Sequence, residues 1–305
     1  MRSLNKILIG ILVVAIACFA YISLTFSTND PGKDEHYVKY VTDHYKIFAL
    51  HIPDTMYFAG ERIPLEIQDV KERMDRELMV NTYWQSQTLL LFKRASRWFP
   101  IIEPILKAEG VPDDFKYLCV AESGMSNVVS PAGASGYWQF LKETAKQYGL
   151  EVSDNVDQRY DVRASTKAAC KYLKDSKNEF GTWTLAAAAY NMGGGNVNKQ
   201  LKRQNVNDYY DLLLNEETSR YVFRLSAMKE ILENPSKYGF HFRPNDLYSP
   251  YVSNTIKIDS TITNMPAFAD SFGMNYKELK ILNPWLRDDF LDNPDRKAYY
   301  IEIPR

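Results

Sequence analysis

Glu122 is a carboxylate whose setting suits acid–base chemistry. Phe115, Leu118 and Cys119 form an apolar stripe at helical spacing, and Glu122 is its next position. Pro112-Asp113-Asp114 opens that helix and Ser123-Gly124 closes it. A carboxylate on an apolar face is desolvated, and the negative end of the helix dipole disfavours its charge further. Both effects raise its pKa, as a general acid at neutral pH requires. A glutamate that caps the helix or pairs with a nearby arginine gives the same pattern. On helix phasing alone that is the commoner case.

Three further groups have types and spacings that could serve a polar ligand. The loop from Ser126 to Tyr137 carries Pro131, Gly133 and Gly136, and Trp138-Gln139 follows it. An amide beside an indole can bind a sugar, and either residue can equally belong to a core. Tyr190-Asn191 precedes Gly193-Gly194-Gly195, where glycine lets backbone approach a ligand. Asparagine is also common at helix ends for its own sake. No Gly-Lys-Ser/Thr follows the first loop, which excludes a phosphate cradle. The four histidines are scattered, and Cys18, Cys119 and Cys170 form no CxxC pair. No metal or cofactor is expected. Cys119 and Cys170 read as small buried hydrophobes, with a disulfide between them open.

The elements that must position these groups are mostly helices. Ile67 to Asn81 and Thr82 to Trp98 have helical patterns. Phe99 to Glu109 is expected as a further helix, interrupted by Pro100 and Pro104 and closed by Gly110. Tyr137 to Tyr148 is expected as a helix with Gln139 in its first turn. Asp161 caps a helix through Ser165, Ala169 and Leu173. Trp183 to Asn191 holds the run Ala186 to Ala189, small enough for close helix packing. Asn215 caps a last long helix carrying Tyr221, Leu225 and Met228, and Asn234-Pro235 ends it. Beyond Arg243-Pro244 the composition shifts. Strand Asn254 to Ile258, helices Met265 to Phe272 and Tyr276 to Leu282, and strand Ala298 to Ile303 follow in order.

The chain of 305 residues has 37 Lys and Arg against 38 Asp and Glu, so no basic excess points to nucleic acid. Arg2 and Lys6 precede an apolar run from Ile7 to Leu24, long enough for a signal or a membrane-spanning helix. The positive residues before it would hold the N-terminus inside and export the rest. Ala15-Ile16-Ala17-Cys18 resembles a lipoprotein cleavage box but departs from it at Ala15 and Phe19. An uncleaved anchor is expected, with cleavage or lipidation as alternatives.

Taken together, Glu122-Ser123, Gly133-x-x-Gly136-x-Trp138-Gln139-Phe140, Ala189-Tyr190-Asn191-x-Gly193 and Glu217-Thr218-x-x-Tyr221-Val222 resemble the ordered motifs of soluble-lytic-transglycosylase-like domains. Val111-Pro112 up to Glu122, and Tyr160 to Thr166, are also similar to that family. The C-terminal segment resembles a LysM domain, a module that binds N-acetylglucosamine-containing glycans. Its usual Gly-Asp-Thr is replaced by Ile258-Asp259-Ser260-Thr261.

The resemblance implies a mainly α fold: a lysozyme-like helical catalytic domain, an N-terminal membrane or signal helix, and a small C-terminal βααβ LysM-like domain. The divisions expected are a signal anchor over 1–26, a linker over 27–60, a catalytic domain over 61–240, a linker over 241–253 and the LysM-like domain over 254–305. It implies cleavage of peptidoglycan glycan strands between N-acetylmuramic acid and N-acetylglucosamine, leaving a 1,6-anhydromuramoyl end, on the periplasmic side of a bacterial envelope. Glu122 would be the single acid and base. Ser123 and Tyr221 would orient it or the substrate acetamido group. Gln139 and Asn191 would bind the sugar, Trp138 and Tyr190 would line the site, and backbone at Gly133 and Gly136 would shape the cleft. A hydrolytic muramidase on the same fold and a silent wall-binding scaffold are the alternatives.

Overall fold

The computed structural model describes residues 46–305 and six residues between 35 and 43. The apolar run 7–24 lies outside the described residues. Among the described residues no helix is long and apolar enough to cross a membrane. The chain divides at Ala49–Leu50 into two units, the larger being Leu50–Arg305.

A short hairpin, β1 (Met56–Phe58) and β2 (Glu61–Ile63), opens the unit. Its Phe58 and Ile63 are fully buried, so the end of the expected linker belongs to the core. Helix α1 (Gln68–Tyr83) follows, then α2 (Gln85–Ala108). The two helices expected over 82–109 are thus largely one, with Pro100 and Pro104 inside it. Each proline removes one backbone donor. Spaced four apart, both lie on the exposed face, where water can take up the freed carbonyls. Leu91, Ala95, Ile102 and Leu106 form the buried face, and their packing holds the helix together across the prolines.

Helix α3 (Lys116–Ser123) carries the candidate acid at its end. The helix expected over 137–148 is only α4 (Lys142–Gln147), because Phe140 bridges back to Ser135 before the helix begins. Helix α5 (Val162–Phe180) starts where Asp161 accepts from the backbone N–H of Arg163 and Ala164. Helix α6 (Trp183–Met192) buries Ala186 to Ala189 completely and packs against α5, α7 and α8. The glycines after it do not form a loop. Gly193, with φ 84°, ends α6, and Gly194 already starts α7 (Gly194–Gln204). Helix α8 (Glu216–Glu233) is capped by Asn215, whose side chain accepts from Thr218 N. It packs against α1, α3 and α6, and so reaches the candidate acid from the opposite wall.

The C-terminal segment folds as β3 (Ser253–Ile258), α9 (Met265–Asp270), α10 (Tyr276–Leu282) and β4 (Tyr299–Pro304). The strands pair antiparallel from Ser253↔Pro304 to Ile258↔Tyr299. Asn283 is fully buried and locks the end of α10 to β4, donating to Glu302 O at 2.7 Å and accepting from Glu302 N at 2.7 Å. Two residues from outside the segment complete this small core. Val156 and Tyr160, from the loop before α5, pack among Met265, Leu279, Leu286 and Ile301. Asp157 N donates to Trp285 O at 2.8 Å, Arg287 N donates to Asn155 O at 2.9 Å, and the Arg287 guanidinium lies 4.0 Å from the centre of the Tyr160 ring. A module of this size has little core of its own. A 254–305 fragment alone should therefore show no cooperative thermal transition by circular dichroism, whereas the full chain should melt with the module included.

Candidate active site

The end of α3 and the loop after it are built on tight backbone. Gly124, with φ 57°, terminates α3 in the left-handed conformation. The chain then folds back on itself: Gly136 N donates to Val128 O at 3.0 Å, Ser130 N to Ala134 O at 2.8 Å, and Ser135 N to Phe140 O at 3.0 Å. Gly136 has φ +80°, and a Cβ there would stand 1.9 Å from the Arg159 carbonyl oxygen. Arg159 is the post around which the loop wraps. It is buried, paired with Asp157 at 2.7 Å, and donates to the carbonyls of Gly133 and Phe140, each at 3.1 Å. No spacing in the sequence marks Arg159 for this task.

Glu122 lies half-buried at the mouth of this loop. The Tyr221 hydroxyl of α8 donates to its Oε1. Burial raises the Glu122 pKa above the usual carboxylate range. The Tyr221 hydrogen bond pulls it back, the Glu217 carboxylate pushes it up again, and the Arg224 guanidinium pulls it down. Glu217, Tyr221 and Arg224 follow at helical spacing on α8, so one helix face presents an anion, a donor and a cation to the same carboxylate. Tyr221 is 2% exposed, and burial first, then the neighbouring Glu122, holds its hydroxyl well above its ordinary pKa. It stays a proton donor at any working pH.

The other residues singled out by sequence separate into site and scaffold. Asn191 reaches the site through Glu217, donating to its Oε1 at 3.3 Å while accepting from Thr218 Oγ1 at 2.8 Å. Tyr190 packs edge-on against Phe140 and Tyr172, and its hydroxyl donates to the Trp138 carbonyl at 2.7 Å. Trp138 does not line a cleft. It is fully buried and its indole N–H donates to Thr166 Oγ1 at 2.9 Å, so the ring is core. Gln139 is not in a helical turn. It has φ 50°, and its amide donates to the carbonyls of Gly136 and Val128 at 2.8 and 3.0 Å, which closes the loop. The Ser123 hydroxyl points to Tyr137 O at 2.7 Å and Cys119 O at 3.1 Å. It ties the end of α3 to the loop instead of orienting Glu122. Gly133 is exposed, with open space where a Cβ would stand, and its carbonyl accepts from Arg159. Cys119 and Cys170 are free, buried thiols; burial pushes Cys119 up and Cys170 up to about 12.

In the sequence Glu217 stands within the fourth motif but receives no role, and Arg224 and Arg159 are not singled out at all. For Glu217 a signal existed, its i, i+4 spacing from Tyr221. Among the described residues no cluster of His, Cys, Asp or Glu could hold a metal.

The chain is similar to known proteins along most of its length. The transglycosylase SLT domain family matches residues 99–213, which hold Glu122 to Gln139 and Tyr190-Asn191 but stop short of Tyr221. The soluble lytic transglycosylase C-terminal LysM-like domain matches residues 254–305. Membrane-bound lytic murein transglycosylase D of Escherichia coli K12 is 29% identical over 265 residues, which span 83% of this chain and 56% of that protein. A putative tributyltin chloride resistance protein of an Alteromonas species is 30% identical over 117 residues, 38% of this chain and 56% of that protein. The chain thus spans little more than half the length of either curated relative. Among solved structures, lytic transglycosylase Slt of Pseudomonas aeruginosa in an inactive mutant form aligns with a TM-score of 0.36 at 20% identity, covering 50% of this chain and 26% of that one. The soluble lytic transglycosylase of Escherichia coli aligns at 0.39 and 21%, covering 50% of this chain and 27% of that one. The chain carries a transglycosylase SLT domain followed by a soluble lytic transglycosylase C-terminal LysM-like domain, and it is homologous to membrane-bound lytic murein transglycosylase D.

Proposed function

We propose that this protein is a peptidoglycan lytic transglycosylase of murein metabolism, with Glu122 as its acid and base. The observation that carries the reading is the half-buried Glu122 carboxyl, raised by burial and held through one oxygen by Tyr221. With Oε1 occupied, the transferable proton belongs on Oε2. It passes to the glycosidic oxygen as the C1–O bond breaks, and the substrate acetamido oxygen stabilises C1. The Glu122 carboxylate then takes the C6 hydroxyl proton as O6 closes on C1, and no water is consumed. Tyr221 stabilises the carboxylate formed midway. Asn191, hydrogen-bonded to Glu217, would bind the same sugar. Gln139, Ser123 and the Gly133–Gly136 backbone serve the site by holding its loop.

The C-terminal module, docked on the loop before α5, supports binding of the same glycan further along the strand. The residues before the described unit supply export and anchoring on the periplasmic side, as the apolar run 7–24 suggests.

Glu217 favours one rival reading, hydrolysis with a second carboxylate activating water, since most glycosidases use two. Mass spectrometry of digested sacculi separates the two. Transglycosylation is expected to give muropeptides lighter by one water than the hydrolytic products. A reducing end on every fragment would replace this reading with the muramidase.

A further inference from the structure

Glu77 of α1 takes no part in these steps, yet it is 1% exposed. Its Oε1 accepts from Arg76 at 2.8 Å and from Arg220 Nε at 2.6 Å, and its Oε2 lies 3.8 Å from Arg224 Nε. A buried carboxylate needs such partners, and the first two would suffice for that. The third is different. Arg224 is three residues past Tyr221 on the same face of α8, and its charge reaches Glu122. A cavity of about 250 Å³ is lined by Glu77 and Arg224, and by Ala121 and Gly124 on either side of Glu122. It leaves the guanidinium room to move off Glu77 toward the end of α3 that carries Glu122.

We propose that Glu77 is a positioning residue that tethers the Arg224 guanidinium to α1 and keeps it from pairing with the Glu122 carboxylate. The proposal rests on Glu122 being the acid. An acid whose proton must be available at working pH cannot have a guanidinium seated on it. The other groups around Glu122 do not perform this task. They are Cys119 and Ser123 on its own helix, Tyr190 on α6, and Glu217 and Tyr221 on α8. Arg94 of α2 is engaged nearby, donating to Gly124 O at 3.1 Å. Glu216 shares Arg220 with Glu77, at 3.1 Å, but does not hold Arg224.

The test is a ¹³C NMR titration of the Glu122 carboxyl beside the pH profile of anhydromuropeptide release. Glu77→Gln frees Arg224 to stabilise ionised Glu122. Its midpoint and the alkaline limb of activity should both move to lower pH, by about one unit. Arg224→Gln should move them to higher pH, and Glu77→Gln in that background should add little. Glu77→Asp keeps the charge but draws the carboxylate back, so it should move the midpoint down by less. If Glu77→Gln does not fold, Glu77→Asp decides by the same sign. A midpoint unmoved in the folded Glu77 variants overturns the proposal, as does an equal shift with and without Arg224. A merely structural Glu77 would lower the melting temperature and leave the midpoint in place. If the wild-type protein releases no anhydro product, the functional reading fails, while the titration still reports on the tether.

Discussion

Glu122→Gln should abolish glycan cleavage while leaving the protein as stable as before, or more so. A positioned acid or base contributes roughly 10²–10⁴-fold to rate, and the proposed cycle uses Glu122 first as one and then as the other. The loss of anhydromuropeptide release should therefore lie at the upper end of that range. The stability prediction follows from the direction of the Glu122 pKa. Burial raises it in the folded protein above its unfolded value. Between those two values the folded state binds more protons than the unfolded one, so stability falls as pH rises through the window. At neutral pH, above the unfolded value, the raised pKa leaves the folded state less stable than at acid pH, and glutamine, which keeps a carbonyl for Tyr221 to donate to, removes that cost. Differential scanning calorimetry at pH 7 should give a melting temperature equal to or above wild type, with the difference shrinking at acid pH. Full cleavage by a folded Glu122→Gln protein would remove Glu122 from the mechanism. A lowered melting temperature would show that the carboxylate is satisfied by contacts other than Tyr221.

How far this site could be read without coordinates depended on the kind of signal. Glu122 was legible because helix phase is a local property: Phe115, Leu118 and Cys119 define a stripe, and the next position follows from 3.6 residues per turn. Asp161 and Asn215 were legible as caps because capping chemistry is written in one residue type at one position. Pro100 and Pro104 misled, since a proline breaks a helix only where its lost rung cannot be replaced, and their exposed face is set by packing. Trp138 and Gln139 misled for a related reason. Which way an indole points, and whether residue 139 is helical or left-handed, is decided by Arg159 and Thr166, some 20 to 28 residues away in sequence. The four motifs mix residues that the fold uses in two ways. Glu122, Tyr221 and Asn191 face one another or a shared wall, whereas Ser123, Trp138, Gln139 and Gly136 hold the loop against α3 and α5.

That division makes Gly136 the place where a small change should do the most structural damage. Gly133 and Gly136 have nearly the same backbone, φ +81° and φ +80°, both in the region that favours glycine. At Gly133 an added methyl group meets nothing within 4 Å. At Gly136 it would stand 1.9 Å from the Arg159 carbonyl oxygen and 2.6 Å from its carbon, and backbone cannot swing aside as a side chain can. Gly133→Ala should cost about 1–2 kcal/mol, the penalty of left-handed backbone alone. Gly136→Ala adds the displacement of Arg159, whose guanidinium holds the carbonyls of Gly133 and Phe140 and whose loop also docks the C-terminal module through Asp157. Its total cost should be about 3–5 kcal/mol, at the high end for a single substitution, which for a unit of this size lowers the melting temperature by roughly 10 °C or more. The damage should also reach the chemistry. Tyr137, next to Gly136, supplies the carbonyl that anchors Ser123, the residue after Glu122. At a temperature where both variants remain folded, Gly136→Ala should release anhydromuropeptides far more slowly than Gly133→Ala. Equal losses of stability in the two variants would mean that the loop yields freely, and that Arg159 is not the post on which the site is built.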